Sequence, residues 1–393
     1  YQAHSWLDGR LDLDPRVLPN MEDWACVREV NGAKVRCEGR PVSTDKWYVS
    51  FPPFPAVVML PMVWLNGYQF NDTSMGVIVG ALGLVAFFAL LRSLRALGEH
   101  TLTDRECAVW ALLLGFSTLF FYCAIRGEVW FSAEVMGVLF SSLYLLNAAG
   151  ARRPWLAGVF FSMAVLTRTP LLFSGVFFLV EVLTPRAGDR LKQLSQWSDD
   201  LRGKLQKLGW FTLGALPLAG LAAAYNLLRF GKLGEFGHKY LFNNRVNIDI
   251  DRWGLFSTQY LQRNLDAAFL KTPLVQWAPS FKLGYDPHGL SLALTFPLLM
   301  LLLQPKVRTR LFWPLWLTVM ACAGPGLFYQ NDGYMQFGFR FSLDYTPHLI
   351  LLIVVTGASL KSRWTWALAA LGIAVNTWGA LAFKGYTEYV YRW

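Results

Sequence analysis

The sequence lacks most of the patterns that identify an active site directly. Its histidines, among them His4, His238, His288 and His348, show no metal-ligand spacing. Neither a glycine-rich phosphate-binding motif nor a Ser/His/Asp arrangement is visible, and no internal repeat is evident. The usual sequence signs of a metalloenzyme, a nucleotide-binding enzyme and a serine hydrolase are therefore missing.

The chain is also poor in charge. Charged residues make up 16% of its 393 residues, whereas hydrophobic residues make up 54%. A bilayer-spanning helix needs roughly 20 mostly apolar residues, and such runs recur along the chain. We expect an all-α polytopic membrane protein of about ten or eleven transmembrane helices, in a single domain over 1–393. The candidate spans are 75–91, 107–125, 133–150, 209–228, 289–304, 311–329, 346–360 and 364–383, with a longer run at 155–183.

Basic residues indicate which loops face the cytoplasm. Lys and Arg concentrate in the amphipathic segment 184–207 and in the loops 305–310 and 361–363. Alternation then places 230–288, the largest loop in the middle of the chain, and 330–345 outside. The net charge of +10 is explained by such loops and by anionic lipid, so we expect no nucleic-acid partner.

Two apolar runs can be placed in more than one way. The run 54–67 is short and contains Pro55 and Pro61, so it is either a re-entrant or interfacial helix or a full span. The run 155–183 carries Arg168 near its middle, and a hairpin of two helices costs less than a charge at mid-membrane. The preferred interpretation keeps 54–67 from crossing and places the Arg168 hairpin tip outside.

Residues 1–53 are expected to form an external loop with a covalent crosslink. Asn31-Gly32 is a strong signal for a type I′ hairpin turn. Pairing outward from it sets Val30 opposite Ala33 and Cys26 opposite Cys37. The pairing predicts a disulfide and hence an oxidising compartment, although two free thiols are the alternative. The chain begins at Tyr1 without an initiator Met or leading span, and we expect a further helix upstream.

The segment Gln336–Pro347 is the most informative part of the sequence. Arg340 and Asp344 lie four residues apart among aromatic residues, between two membrane-length apolar runs. Charges beside a bilayer are costly unless they have a function. The segment is either an interfacial anchor, with Arg340 on a lipid phosphate, or part of a site at the membrane surface.

Several stretches together resemble a known family. They are Ala3–Leu13, Tyr48–Ala56, Ala164–Pro170, Tyr225–Gly231, Tyr260–Leu265 and Gln336–Pro347. In this order they resemble bacterial integral-membrane glycosyltransferases of the GT-C superfamily, which includes protein mannosyltransferases and lipid A aminoarabinose transferases. The resemblance implies a polyprenyl-phosphate-linked sugar as donor and a reaction on the periplasmic face of the inner membrane. It also implies a catalytic acid in the first external loop. Among the residues of this sequence, Asp8 and Asp23 could take the role of that acid.

The chemistry of sugar transfer needs further residues. A carboxylate must accept the acceptor's proton, and the leaving phosphate needs a cation beside it. A divalent metal is a second way to hold that charge, but no metal ligands are assigned. Arg168 and Lys46 also have simpler interpretations, as a helix cap and an interfacial lysine. The expected residues are the acids Asp8, Asp23 and Glu128, the phosphate ligands Arg168, Arg340 and Lys46, and the substrate-orienting Asp344, Tyr225, Asn226 and Arg229.

Two other functions stay open. A lipid or solute transporter is expected to carry charges within its spans and a repeat. The spans here are nearly free of charge, with Glu134 and Glu181 near their ends. A catalytically silent subunit of a larger membrane complex is the other alternative, because the catalytic acid is expected to lie upstream of Tyr1.

Overall fold

The computed structural model describes residues 1–16, 24–184, 194–242, 244–277 and 281–385. Helices account for 66% of the residues, with few strands. The strands are β1 (Trp24–Val30), β2 (Ala33–Arg36), β3 (Lys46–Val49), β4 (Leu274–Gln276) and β5 (Lys282–Gly284). The α-helices are α1 (Gln2–Leu7), α2 (Phe54–Asn66), α3 (Asp72–Ala96), α4 (Asp104–Phe116), α5 (Phe120–Ala124), α6 (Val129–Ala148), α7 (Pro154–Val165), α8 (Gly175–Leu183), α9 (Leu194–Phe230), α10 (Asn244–Trp253), α11 (Leu261–Leu265), α12 (Leu292–Thr295), α13 (Phe312–Leu327), α14 (Thr346–Val355) and α15 (Arg363–Gly385).

The chain divides into two compact units. Residues 1–71 and 216–257 form the first, called the sheet unit, and residues 72–215 and 258–393 form the second, called the helix unit. The unit boundary at 215/216 falls inside α9, next to Pro217. The predicted external loop 230–288 is divided between the two units. The organisation of 1–393 as one membrane-embedded domain stays a prediction.

Among the described residues, four helices are long and apolar enough to cross a bilayer. They cover Asp72–Ala96, Val129–Ala151, Asp200–Phe230 and Arg363–Ala382. The prediction of a mostly helical chain with membrane-length helices is thereby confirmed, whereas ten or eleven spans are not established. The run 107–125, predicted as one span, is two helices because the chain breaks at Ser117–Leu119. Thr118 Oγ1 there donates to the Leu114 carbonyl and accepts from Phe120 N–H. The side chain thus provides hydrogen bonds to backbone groups on both sides of the break.

The run 155–183 folds back on itself. Arg168 lies beside Gly137 of α6, whereas Glu181 at the end of α8 accepts a hydrogen bond from Gly150 N–H, just beyond α6. The chain between α7 and α8 thus lies beside α6, whereas the start of α7 and the end of α8 both lie near the end of α6. The two helices therefore run in opposite directions. The hairpin interpretation of this run is confirmed. Pro170, which cannot donate a backbone hydrogen bond, follows the turn.

The sheet unit contains the predicted hairpin and its crosslink. β1 pairs antiparallel with β2, with Val30 opposite Ala33, and with β3 on its other side. Cys26 and Cys37 form a disulfide with Cα atoms 5.4 Å apart, so the predicted crosslink is confirmed. In this unit α2 has only 13 residues with Pro61 inside. At 1.5 Å per residue it is about 20 Å long, short of a roughly 30 Å bilayer core.

The predicted surface segment 184–207 is described only in part. Residues 185–193 lie outside the described residues, and from Leu194 the chain is already in α9. Its placement on the cytoplasmic surface stays a prediction. Within the helix unit, α9 packs closely on α7, because the Gly158 and Gly214 positions bring the two backbones into contact.

Candidate functional site

One end of the helix unit holds a buried arginine between two carboxylates. Arg168 Nε and Nη2 donate to the two carboxylate oxygens of Asp344, at 3.0 and 2.8 Å. Arg168 Nη2 also lies 3.0 Å from Glu134 Oε1. Glu134 and Asp344 are 1% and 4% exposed, so water does little to screen these charges. The three residues are called the Arg168 cluster.

Local sequence explains how the Arg168 cluster forms. Helix α7 ends at Val165, and Arg168 has extended backbone angles before the 3₁₀ turn Thr169–Ser174. Its side chain then runs along α6 past Gly137, where a Cβ would lie 3.2 Å from Arg168 Cγ. Glycine at 137, one turn after Glu134, therefore gives the arginine stem a path to the carboxylate.

A second arginine nearby has a different environment. Arg340 is 5% exposed, and no carboxylate of the described residues lies within ion-pairing distance of it. Its Nη1 donates to Gln336 Oε1 at 2.9 Å, and its guanidinium lies 5.0 Å from the Phe341 ring centre and 5.7 Å from that of Phe131. Cation–π contacts and neutral acceptors offset only part of the cost of burying a charge. Arg340 is thus suited to take an anion.

Gln336 holds Arg340 and is itself held on both sides. It is fully buried, and its Nε2 donates to the carbonyls of His288 and Asp332 at 2.7 and 3.1 Å. The chain folds closely over this amide at Gly333, where φ is +84° and a Cβ would lie 2.3 Å from the Gln336 amide. Only glycine tolerates both this positive φ and this short distance to a neighbouring side chain. The Gln336 carboxamide therefore fixes where the Arg340 guanidinium lies.

His288 and Asp332 form a dyad on the other side of Gln336. His288 Nδ1 lies 3.0 Å from Asp332 Oδ2 and 3.1 Å from the Gly333 carbonyl. Because both neighbours are acceptors, Nδ1 carries the proton. The hydrogen bond to Asp332 raises the pKa of His288 above its ordinary value, although burial acts in the opposite direction.

A third ionic group lies at the opposite end of the helix unit. Arg310 donates to Glu99 Oε1 through Nε and Nη2, at 3.0 and 2.6 Å, and to Glu181 Oε1 through Nη1 at 2.5 Å. Glu181 also accepts from Gly150 N–H. Gly150 follows Glu134 along α6, and at 1.5 Å per residue the two ends are about 24 Å apart. These three residues are called the Arg310 cluster.

The structure brings together some of the predicted site residues and reassigns one contact. Arg168, Arg340 and Asp344 meet at one end of the helix unit, but Asp344 pairs with Arg168 rather than with Arg340. Arg168 contacts both carboxylate oxygens of Asp344, and a substrate-orienting role for Asp344 stays a prediction. Glu128 precedes α6 at the same end, and its side chain does not cap that helix.

The expected residues of the first loop lie in the sheet unit. Asp8 is more than half exposed, and its Oδ2 lies 3.1 Å from His4 Nδ1. Lys46 is exposed at the start of β3. Asp23 lies outside the described residues. Catalytic roles for Asp8 and Asp23 and a phosphate contact for Lys46 stay predictions.

Tyr225, Asn226 and Arg229 make internal contacts in the sheet unit. The Tyr225 hydroxyl accepts hydrogen bonds from Gln2 Nε2 and Trp6 Nε1, at 2.9 and 3.1 Å. Fully buried Arg229 donates to Asn226 Oδ1 and to the Val49 carbonyl. These bonds tie α1 and β3 to the end of α9. They explain the three residues structurally, and a substrate-orienting role stays a prediction.

The Cys26, Cys37 and Asp45 side chains lie together in the sheet unit, close enough to resemble a metal site. Both thiols are consumed by the disulfide, and Asp45 accepts two hydrogen bonds of 2.7 Å from Arg28. Those bonds lower the pKa of Asp45. The group is therefore a crosslink beside an ion pair, and it offers a metal no thiolate.

Sequence reasoning missed Glu134, Gln336, His288 and Asp332 as members of the site. Glu134 was visible as an acid near the end of a span, a position that is costly without a partner. The sequence gives no comparable signal for His288, because its link to Asp332 is formed by folding. Comparison with known proteins adds nothing further: no family model matches the chain, and neither a curated protein nor a solved structure is detectably similar to it.

Proposed function

We propose that the protein is a membrane glycosyltransferase that takes a sugar from a polyprenyl-phosphate donor. The transfer would take place at the end of the helix unit that carries the Arg168 cluster, on the non-cytoplasmic face of the membrane. The acceptor is a lipid, a glycan or a protein. The proposal joins the resemblance of the sequence to the GT-C superfamily with the chemistry of the residues gathered at this end.

The observation that carries the proposal is the state of Arg340. A buried guanidinium that no carboxylate contacts is costly, and an arriving phosphate would provide a countercharge in direct contact. Glu134 attracts Arg340 only from beyond ion-pairing distance. The leaving polyprenyl phosphate develops negative charge as the sugar departs. A fixed arginine beside that oxygen lowers the barrier, because it needs no reorganisation during the reaction.

Arg168 has a supporting part in this proposal. Two carboxylates already surround its single positive charge, so it is a poor choice for a direct phosphate ligand, contrary to our expectation from the sequence. Its ion pair with Asp344 instead anchors the 3₁₀ turn Arg340–Asp344 that carries Arg340. Precise placement of a catalytic group requires such a rigid support.

The position of the charges also favours a surface reaction over transport. Ionic groups in the helix unit gather at two ends about 24 Å apart along α6, close to the roughly 30 Å thickness of a bilayer core. A transporter is expected to bind its substrate near the midplane. A lipid-linked donor, by contrast, presents its phosphate at the membrane surface.

Sugar release from defined donors tests the proposal. The purified full-length protein is incubated with a panel of polyprenyl-phosphate-linked hexoses, pentoses and aminosugars, and released sugar is measured with and without EDTA. At least one donor should be consumed, and Arg340→Met should reduce its consumption about 10- to 100-fold, as expected for a lost charged contact. Arg310→Met, at the opposite end, is the matched control and should retain the activity of its folded fraction. Inactivity toward every donor would refute the proposal.

A further inference from the structure

The geometry points to His288 as the proton acceptor of the reaction, held in place by Asp332. This inference rests on the proposed function and replaces the acid that we expected in the first external loop. His288 lies in the helix unit with Arg340, whereas Asp8 belongs to the sheet unit. The inference therefore needs only residues of the helix unit.

The His288 ring has a defined orientation. Asp332 is 7% exposed, and its Oδ2 accepts from His288 Nδ1 at 3.0 Å. With the Nδ1 proton held there, the lone pair of neutral His288 lies on Nε2. Nε2 has no hydrogen-bond partner among the described residues. A carboxylate fixing one ring nitrogen while the other stays available is the arrangement that makes histidine a general base.

The His288 ring is also accessible. The His288 side chain is 31% exposed, unlike the 10% exposed side chain of Asp332 behind it. An acceptor hydroxyl can thus reach the ring, while the orienting carboxylate stays shielded. The two other described histidines of this unit are less suited, because His348 is completely buried in α14 and both ring nitrogens of His100 lie within hydrogen-bonding distance of backbone groups.

The charges around the dyad keep it polarised. Asp286 accepts a hydrogen bond from the His288 backbone N–H and is paired with Lys271 at 3.0 Å. Arg263 Nε lies 3.7 Å from Asp332 Oδ2, and the Tyr334 ring lies 5.4 Å from the His288 ring. Asp332 acts most strongly on His288, Asp286 acts in the same direction and Lys271 opposes both.

His288 is also connected to Arg340. The Gln336 carboxamide joins them, because its Nε2 donates to the backbone carbonyl of His288 and its Oε1 accepts from Arg340. A base for the acceptor and a cation for the leaving phosphate must act on opposite sides of one sugar carbon. A short, fully hydrogen-bonded connection between them provides a fixed separation.

The step balances without any other reactant. The acceptor oxygen forms a bond to the anomeric carbon while the bond from that carbon to the phosphate oxygen breaks. The electron pair of the broken bond leaves with the polyprenyl phosphate, beside Arg340. The acceptor's proton passes to His288 Nε2, and the imidazolium returns it to solvent after the product leaves.

Two variants test the role of His288 with the donor found active in the panel and water or the natural acceptor as nucleophile. His288→Gln should lower kcat about 10²- to 10⁴-fold, the usual worth of a general base. Farnesyl phosphate, a soluble analogue of the leaving group, should bind this variant within about threefold of wild type, as for a folded site whose phosphate contact is intact. Asp332→Asn should keep more activity and move the acidic inflection of kcat/KM to lower pH, because the carboxylate that raises the pKa of His288 is gone.

The outcomes separate the two claims. An active wild type together with an equally active His288→Gln, or an unmoved inflection in Asp332→Asn, would overturn the role of His288 and leave the proposed function standing. Loss of activity in Asp8→Asn with His288→Gln unaffected would return the role to the first loop. Inactivity of the wild type toward all donors would overturn both claims. A reduced kcat with farnesyl phosphate binding retained and a shifted inflection is the result that supports the inference.

Discussion

The two ends of the helix unit contain the same ionic motif with different neighbours. Arg168 lies between Glu134 and Asp344 at one end, and Arg310 lies between Glu99 and Glu181 at the other. Both arginines connect segments that are distant in sequence. An arginine held by two buried acids is therefore no sign of catalysis in this molecule, since it recurs where we propose no site.

What distinguishes the Arg168 end is the pair of groups beside the cluster. Arg340 is a buried cation with only neutral hydrogen-bond acceptors, and the His288–Asp332 dyad lies across Gln336 from it. Among the described residues, nothing comparable adjoins Arg310. Under the proposed function, Arg340 and the oriented imidazole of His288 would carry the chemistry, whereas the ion pairs of the two clusters would stabilise the fold.

The largest expected effect is loss of stability when either matched arginine is removed. Arg168→Met and Arg310→Met each leave two buried carboxylates without their cation, which costs about 3–5 kcal/mol. Unfolding by SDS titration in mixed micelles should show similar losses for the two variants. A loss of unfolding free energy below about 1 kcal/mol in either variant would show that the two clusters do not contribute equally to stability.

A smaller effect is expected from the glycines that serve each cluster. Gly150 adopts φ +67° where its N–H donates to Glu181, so Gly150→Ala should cost about 1–2 kcal/mol. In Gly137→Ala the added methyl group lies 3.2 Å from the flexible Arg168 side chain, so the loss of unfolding free energy should be smaller. Unfolding free energies of the two variants, with Gly220→Ala as a control in open space, test this order. The reverse order would contradict the proposed packing of Arg168 on α6.

Removing Arg340 should change stability very little. Arg340→Met deletes a buried charge that lacks a carboxylate, so the free energy of unfolding should stay within about 1 kcal/mol of wild type or rise. The same titration measures it beside Arg168→Met. A loss as large as that of Arg168→Met would mean that Arg340 is a structural ion and would remove the main support for the site.

The smallest effect concerns pH. Since the folded state raises the pKa of His288, its pairing with Asp332 adds stability that is fully present below the unfolded pKa of about 6.5. That contribution should be lost as the pH rises through the folded pKa. Asp332→Asn should flatten this part of the stability profile, measured between pH 5 and pH 9 by thermal unfolding. A profile identical to that of wild type would argue against a charged dyad.

Local features of the molecule could be predicted from the sequence, whereas pairings over long distances could not. The Asn31-Gly32 turn fixes the strand register on both sides, which is enough to bring Cys26 and Cys37 together. The Arg168 hairpin followed from the cost of a charge at mid-membrane. By contrast, Arg168 and Asp344 are 176 residues apart, and their pairing depends on how the turn after α7 packs against the 3₁₀ turn Arg340–Asp344.

The most direct test of the account compares the two ends by phosphate binding. Isothermal titration calorimetry measures the affinity for farnesyl phosphate of wild type, Arg340→Met and Arg310→Met. All three proteins are in the same detergent and confirmed as folded. The account predicts that Arg340→Met weakens binding about 10- to 100-fold, whereas Arg310→Met leaves it unchanged. Equal affinity in wild type and Arg340→Met would contradict the claim that the unmatched arginine is the phosphate ligand.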